Sequence, residues 1–363
     1  MLLIMLISLQ ELIFFFRYDY ASQSPFFKRL NAIMVMYTVY GLFLFVTDGL
    51  TVRSLYGDTY SSIVFIQGAW IILMPIYVVY LYTERGYLNQ ELLQKWMVVF
   101  LLIGISQYYT IQSQIFQTLL AQGKDRTEVT NGAGYVLLSL IPGMLVFKRK
   151  YLFYIGIAVC TVFIIMAMKR GAIIIAAISL ILIVRRDLKN AKGVYKFTVL
   201  FLVFIVVFML LGFVVHMLET SEYFNARIEA TLEGDSSDRD VIYQKFWNSY
   251  LYDSNIFQWI FGRGAMSTLK YGNIYAHNDW LEILFCQGAV GLLIFIKFWR
   301  GLFMSARSTF IAEPSRFCLF LLFCIFFLKT FFSMSIVGIP IYSTTMMGFA
   351  LANGFSDNKN VIN

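Results

Sequence analysis

Apolar runs about as long as a helix needs to cross a bilayer recur along the chain, separated by short polar stretches. A spanning helix takes about 20 residues. Runs near that length fall at 1–16, 31–48, 62–82, 96–111, 131–147, 151–168, 171–184, 197–217, 280–299, 316–332 and 338–354. They predict about 11 transmembrane helices. The first run lacks a basic start and a small-residue cleavage site, so it reads as a retained helix and not a signal peptide. No internal repeat is visible, which argues against a transporter built from duplicated halves.

One segment breaks the pattern. Residues 218–279 are amphipathic and too long for a simple connection. Ser236, Ser237 and Asp238 are candidate N-caps for a helix that continues from Arg239. Tyr243, Phe246, Trp247, Tyr250 and Leu251 then fall at helical spacing and predict one aromatic face, extended by Arg239 four residues before it. A shorter stretch, Ile256 to Phe261, ends in Gly262-Arg263-Gly264. Rings at this density suit an element lying at a bilayer surface.

Composition agrees with this pattern. Of 363 residues, 59% are hydrophobic, 18% aromatic and 14% charged. A soluble domain carries about 25% charged residues. The expected fold class is therefore an all-α polytopic integral membrane protein. It forms a single transmembrane domain over 1–363, with one large extracytoplasmic helical loop. The net charge of +8 reads as orientation signal and not as a nucleic-acid footprint, because cytoplasmic loops collect Lys and Arg. The larger of the two alternating loop sets includes Arg17, Lys28, Arg29, Arg85, Lys95, Lys148, Arg149, Lys150, Arg185, Arg186, Lys297, Arg300, Arg307 and Arg316. Making that set cytoplasmic puts the N-terminus and 218–279 outside and the C-terminus inside. The four cysteines lie in apolar runs without ligand spacing, so neither a disulfide nor a cysteine-bound metal is expected.

Three positions on the outer side stand against the positive-inside bias. Arg170 follows Lys169 between two apolar runs with almost no loop. The pair reads either as snorkelling residues that cap a tight turn or as anion ligands. Arg239 reads either as an exposed partner of Asp235, Asp238 or Asp240 or as an anion ligand on an interfacial helix. His277, in Tyr275-Ala276-His277-Asn278-Asp279-Trp280-Leu281-Glu282, lies where the loop re-enters the membrane and suits a general base. The other histidine, His216, sits in an apolar span and reads as packed. Two arginines and a histidine at a membrane face point to a lipid-linked phosphate, since the guanidinium fork binds phosphate oxygens bidentately.

These residues also carry a family resemblance. Arg170-Gly171 opens an apolar helix, and the outward loop carries Ser237-Asp238-Arg239, an aromatic helix and Gly262-Arg263-Gly264. His277-Asn278-Asp279-Trp280-Leu281-Glu282 and Gly288-Ala289-Val290-Gly291-Leu292-Leu293 follow. The order resembles the O-antigen ligase and polymerase superfamily over about residues 165–300, including the loop 218–279. The resemblance implies a metal-independent, cofactor-free inverting glycosyltransferase in the bacterial inner membrane, acting at the periplasmic face. Its substrate would be an oligosaccharide linked to undecaprenyl diphosphate. It implies His277, Arg170 and Arg239 as catalytic residues and Lys169, Arg227, Arg263 and Asn278 as substrate-binding residues. Membrane lipids and a chain-length regulator are the further partners it implies.

Within that superfamily a repeat-unit polymerase is expected, the alternative being an O-antigen ligase that transfers glycan to a lipid A core or a protein. A polysaccharide flippase is the rival from another class, but transporters place ionisable groups near the midplane. Here the candidates cluster at one face. Asp48 and Asp58, ten residues apart, make a poor metal-binding pair. The orientation has a direct check in intact spheroplasts. A cysteine at Ser236 should react with a membrane-impermeant thiol reagent and one at Asn190 should not; the reverse labelling would place the candidate site in the cytoplasm.

Overall fold

The computed structural model describes residues 25–55, 57–121, 131–190, 239–333 and 340–355, with scattered positions between 193 and 229. Helices dominate, as hydrocarbon requires: an apolar solvent leaves every backbone N–H and C=O to be satisfied within its own segment. In chain order they are α1 (Pro25–Asp48), α2 (Ser62–Glu84), α3 (Gln90–Ala121), α4 (Ala133–Leu140, continued as a 3-10 turn, Ile141–Val146), α5 (Lys150–Met166) and α6 (Arg170–Asn190). Beyond the loop region come α7 (Arg239–Tyr252), α8 (Ile256–Phe261), α9 (Ser267–Gly272), α10 (Asp279–Arg307), α11 (Glu313–Phe332) and α12 (Ile341–Leu351).

The predicted runs from 31–48 to 171–184 and from 280–299 to 338–354 each contain a helix. The runs 1–16 and, apart from scattered positions, 197–217 lie outside the described residues. Of the described helices, α1, α3, α10 and α11 are long and apolar enough to cross a membrane. The protein is therefore an all-α membrane protein, but the described helices do not supply all the full-length spans expected. The shortfall has local causes. Pro142 enters at the start of the 3-10 turn and lacks the N–H that would continue α4. The last turns of α6 carry Arg185, Arg186 and Asp187, which shorten its apolar part.

The chain divides into two compact units, residues 1–90 with 237–363, and residues 91–236. In the first unit α10 packs against α1 and α11, and α2 against α1 and α12. A two-stranded hairpin, β1 (Thr51–Arg53) with β2 (Thr59–Ser61), pairs Thr51 with Ser61 and was not expected from the sequence. It docks on α9. Lys270 Nζ reaches Asp48 at 2.5 Å, Asn273 donates to Asp58 at 2.5 Å, and Leu44, Val52, Ala265, Met266 and Leu269 form the core beneath. Asp48 and Asp58 thus tie loops together. In the second unit Asn131, fully buried, links three segments. Its N–H donates to Ala167 O, its amide to Tyr108 O, and its Oδ1 accepts from Ala133 N.

The expected aromatic face of α7 splits. Phe246 and Tyr250 are buried with Leu281, Phe285 and Cys286, and Phe246 meets Phe285 edge-on at 5.1 Å. Trp247 and Leu251 stay 48% and 37% exposed. Each follows a buried residue by one position, about 100° round the helix, so both point past the contact with α10.

The contact that fixes the loop is made of backbone. Gly288 interrupts α10 with φ 67° and ψ −164°, and Gly262, closing α8, has φ 77° and ψ −177°. Essentially glycine alone adopts that region. A Cβ on Gly262 would lie 2.2 Å from Cys286 O, and one on Gly288 would lie 2.4 Å from Gly262 N. The break leaves the Phe285 and Cys286 carbonyls to accept from Arg263 N (3.0 Å) and Gly264 N (2.9 Å). The Tyr40 hydroxyl shares its one proton between Phe261 O at 2.5 Å and Gln287 O at 3.1 Å. Gly288→Ala should therefore lose about 3 kcal/mol or more of stability, combining backbone strain with the clash. Thermal unfolding of the detergent-solubilised protein measures this, and an unchanged midpoint would refute the contact.

Candidate active site

The first turn of α10 is built to hold a strained elbow. His277, half-buried, has φ 53°, a left-handed conformation that histidine adopts more readily than most residues but still at a cost. Asn278 caps the helix, its Oδ1 accepting from Trp280 N (2.9 Å) and Leu281 N (3.2 Å). The elbow is held on both flanks. Glu282, buried, accepts from Thr268 Oγ1 (2.5 Å), from Ala276 N (2.8 Å) and from Cys286 Sγ (3.6 Å). Trp280 Nε1 donates to Thr330 Oγ1 on α11 at 2.7 Å, and its ring stacks on Phe331. Asp279, 2% exposed, feels the charge of Lys329, which is 4% exposed.

Tyr243 of α7 closes the third side. Its hydroxyl donates to His277 O at 3.3 Å. Burial raises the Tyr243 phenol above its ordinary value, against the charge of Arg239 and a hydrogen bond with the Asn278 side chain, which act the other way. Arg239, His277 and Asn278 are thereby gathered around one tyrosine. Tyr243, Asn278, Trp280, Leu281, Leu284 and Trp247 help line an open, largely apolar groove of about 520 Å³ beside the elbow.

Arg170 belongs to the second unit and is described there by itself. α5 ends in a tight turn in which Met168 takes φ 51°, Met168 N donates to Ile165 O, and Lys169 O accepts from Ile173 N. Lys169 therefore precedes α6 and Arg170 is its first residue. Both are half-buried, and the Nε of Arg170 is buried. A helix N-terminus carries a partial positive charge, so a cation there opposes the dipole by roughly 0.3–1 kcal/mol. The same end, with its outward N–H groups, attracts anions.

Of the remaining expected ligands, Arg227 lies outside the described residues, as do Ser236, Ser237 and Asp238. Arg263 braces the loop. Its Nε donates to Ser254 Oγ (3.2 Å), its Nη2 to Ser249 O (2.9 Å), and its guanidinium lies 5.0 Å from the Phe285 ring. Tyr243, Thr268 and Lys329 are the residues that sequence reasoning did not single out for the site. Tyr243 stood out only as part of the aromatic stripe and Lys329 only as a charge within an apolar run, and Thr268 carried no signal. Among the described residues no cluster of three or more His, Cys, Asp and Glu could hold a metal ion.

Compared with known families, residues 155–296 match the model described as O-antigen ligase. No curated protein matches the chain. The brace at Glu282 generates a prediction of its own. Glu282→Ala leaves Ala276 N–H and the Thr268 hydroxyl without their acceptor in a buried place, where each bond to a charged group contributes about 1.5–3 kcal/mol. The variant should unfold at least about 3 kcal/mol more readily, whereas Glu282→Gln, which keeps an acceptor oxygen, should lose less. Equal unfolding midpoints for the two variants and the parent would show that the carboxylate braces nothing.

Proposed function

Because residues 155–296 match a family model described as O-antigen ligase, we propose that this membrane protein is a polysaccharide repeat-unit polymerase. It transfers glycan from undecaprenyl diphosphate to the end of another lipid-linked repeat unit, with inversion and without a metal. The observation that carries the reading is the placement of Arg170. A guanidinium that opens a helix, against the dipole and at the end of an apolar run, is stabilised by an anion. A diphosphate is the anion that a membrane-bound glycosyl donor brings. The family resemblance assigns Arg239 the role of a second fork, and Lys169 and Asn278 those of further ligands.

In the reaction the acceptor hydroxyl oxygen attacks the anomeric carbon. The bond from that carbon to the diphosphate oxygen breaks, and undecaprenyl diphosphate leaves with the electron pair. His277 takes the hydroxyl proton, and the arginines hold the charge that develops on the leaving group. The groove beside Asn278 offers an apolar surface, with the rings of Trp247 and Trp280, for sugar faces or isoprenoid. The active site would face the periplasm, a reading that the distribution of basic residues supports.

A purified-protein assay with a defined lipid-linked repeat unit and no other acceptor separates the alternatives. A ladder of products supports the polymerase. Transfer seen only when a lipid A core or protein acceptor is added would make the protein a ligase, and no transfer to any acceptor would favour a transporter. Residue by residue, His277→Ala should lower extension by about 10²–10⁴. His277→Asn is the sharper variant, because asparagine tolerates a left-handed backbone and keeps the elbow while removing the base. It should be as inactive as alanine yet unfold like the parent. Activity should fall as lower pH protonates imidazole. Arg170→Lys and Arg239→Lys should each lose most activity, since lysine keeps the charge and loses the fork. Full activity in both lysine variants would sink the diphosphate clamp.

A further inference from the structure

The opposite end of α10 carries a second concave site. Helical rise puts the Arg307 end roughly 40 Å from the His277 elbow. There, α1, α2, α10 and the turn that follows α10 enclose a cavity of about 760 Å³, lined among others by Arg29, Glu84, Arg307, Ser308, Thr309 and Phe310. Arg29 lies across Gly301, where a Cβ would meet its Cδ at 2.6 Å and its Nη1 at 3.1 Å. That Nη1 atom is buried and has no hydrogen-bond partner. The Arg307 guanidinium rests 5.5 Å from the Phe303 ring, and no acceptor among the described residues bonds it.

The buried Arg29 N–H, taken from water without an acceptor, is destabilising, so the cavity is incomplete without an anion, and the exposed Arg307 guanidinium adds a second charge to receive one. Glu84 is the single carboxylate lining it, which leaves the lining net positive. Ser308 and Thr309 add hydroxyl donors, which suits tetrahedral phosphate oxygens better than a planar carboxylate alone. At the rim Phe310 is 92% exposed and Met304 53% exposed, giving an apolar edge beside the charged floor.

We propose that this cavity binds a phosphate-bearing ligand, held by Arg29 and Arg307, at the end of the helix remote from the transfer reaction. A phospholipid headgroup and a free phosphate share that chemistry. The rim favours the lipid, whose acyl chains would lie against Phe310.

The test uses the full chain purified in a neutral detergent. Native mass spectrometry counts retained phosphatidylglycerol or phosphatidylcholine, and inorganic phosphate is titrated as a competitor. One phosphatidylglycerol should be retained, with Arg307→Gln and Arg29→Gln each weakening retention about ten-fold, the difference that loss of a charged hydrogen bond makes. Lys297→Gln, an exposed basic residue on the same helix that does not line the cavity, should change nothing. Arg307 is exposed and touches only a ring, so its variant stays folded even if Arg29→Gln does not. Arginine-dependent binding of the lipid that millimolar phosphate leaves in place identifies a headgroup site. Arginine-dependent binding of inorganic phosphate with no lipid preference identifies a free phosphate site. Retention that is indifferent to Arg307→Gln and Arg29→Gln, or an absence of binding by either probe, would overturn the proposal.

Discussion

The first unit depends on one contact between two glycine backbones. A transmembrane helix normally keeps its carbonyls for itself, because hydrocarbon supplies no donor. α10 gives this up at Gly288, and the carbonyls of Phe285, Cys286 and Gln287 are taken by Arg263, Gly264 and Tyr40. The loop after α8 is thereby bonded into the break in a helix. Only residues without a Cβ permit the approach, since either added carbon would sit within 2.4 Å of backbone. α9 and the segment that runs into the elbow follow directly from this join, so the position of His277 is set some ten residues away from the contact that fixes it.

The candidate residues share a second feature: local stability is given up where they stand. Arg170 opposes the dipole of α6, Met168 just before it is left-handed, and His277 is left-handed in turn. A left-handed non-glycine residue costs on the order of 1–3 kcal/mol and persists only where its surroundings over-determine it. Both turns have such surroundings. Asn131 N bonds Ala167 O beside the first, and Glu282, Asn278 and Tyr243 hold the second. Strain of this kind concentrates where a side chain must be aimed.

Much of the fold was legible because hydrocarbon imposes long apolar runs, and the placement of α1 to α6 and of α10 to α12 follows from them. What the runs do not encode is pairing at a distance. Gly262-Arg263-Gly264 and Gly288 were visible as separate short motifs, but nothing in the sequence said that one docks on the other. Arg263 read as a ligand from its place in the outer loop, yet its acceptors, Ser254 and Ser249, and the ring of Phe285 come together only in the fold. The aromatic spacing of α7 predicted one face and hid a division, because periodicity shows which residues are neighbours but not how wide the partner is. The hairpin at 51–61 was missed, as strands of three residues leave almost no alternation to read.

The proposal of His277 as the base is framed by what the neighbouring carboxylates already do. Two acids, Asp279 and Glu282, lie in the first turn of α10, where the positive helix end favours negative charge. Both are nearly excluded from solvent. Glu282 spends its oxygens on Thr268 and Ala276, and Asp279 lies in the field of Lys329. Protonating Glu282 would weaken the bonds by which it holds Thr268 and Ala276. Asp240, the acid in the first turn of α7, is exposed to solvent. At His277 the backbone carbonyl accepts from Tyr243, which fixes the elbow through the main chain. An elbow held at its main chain sets the place of the side chain at 277, which supports proposing the proton acceptor there.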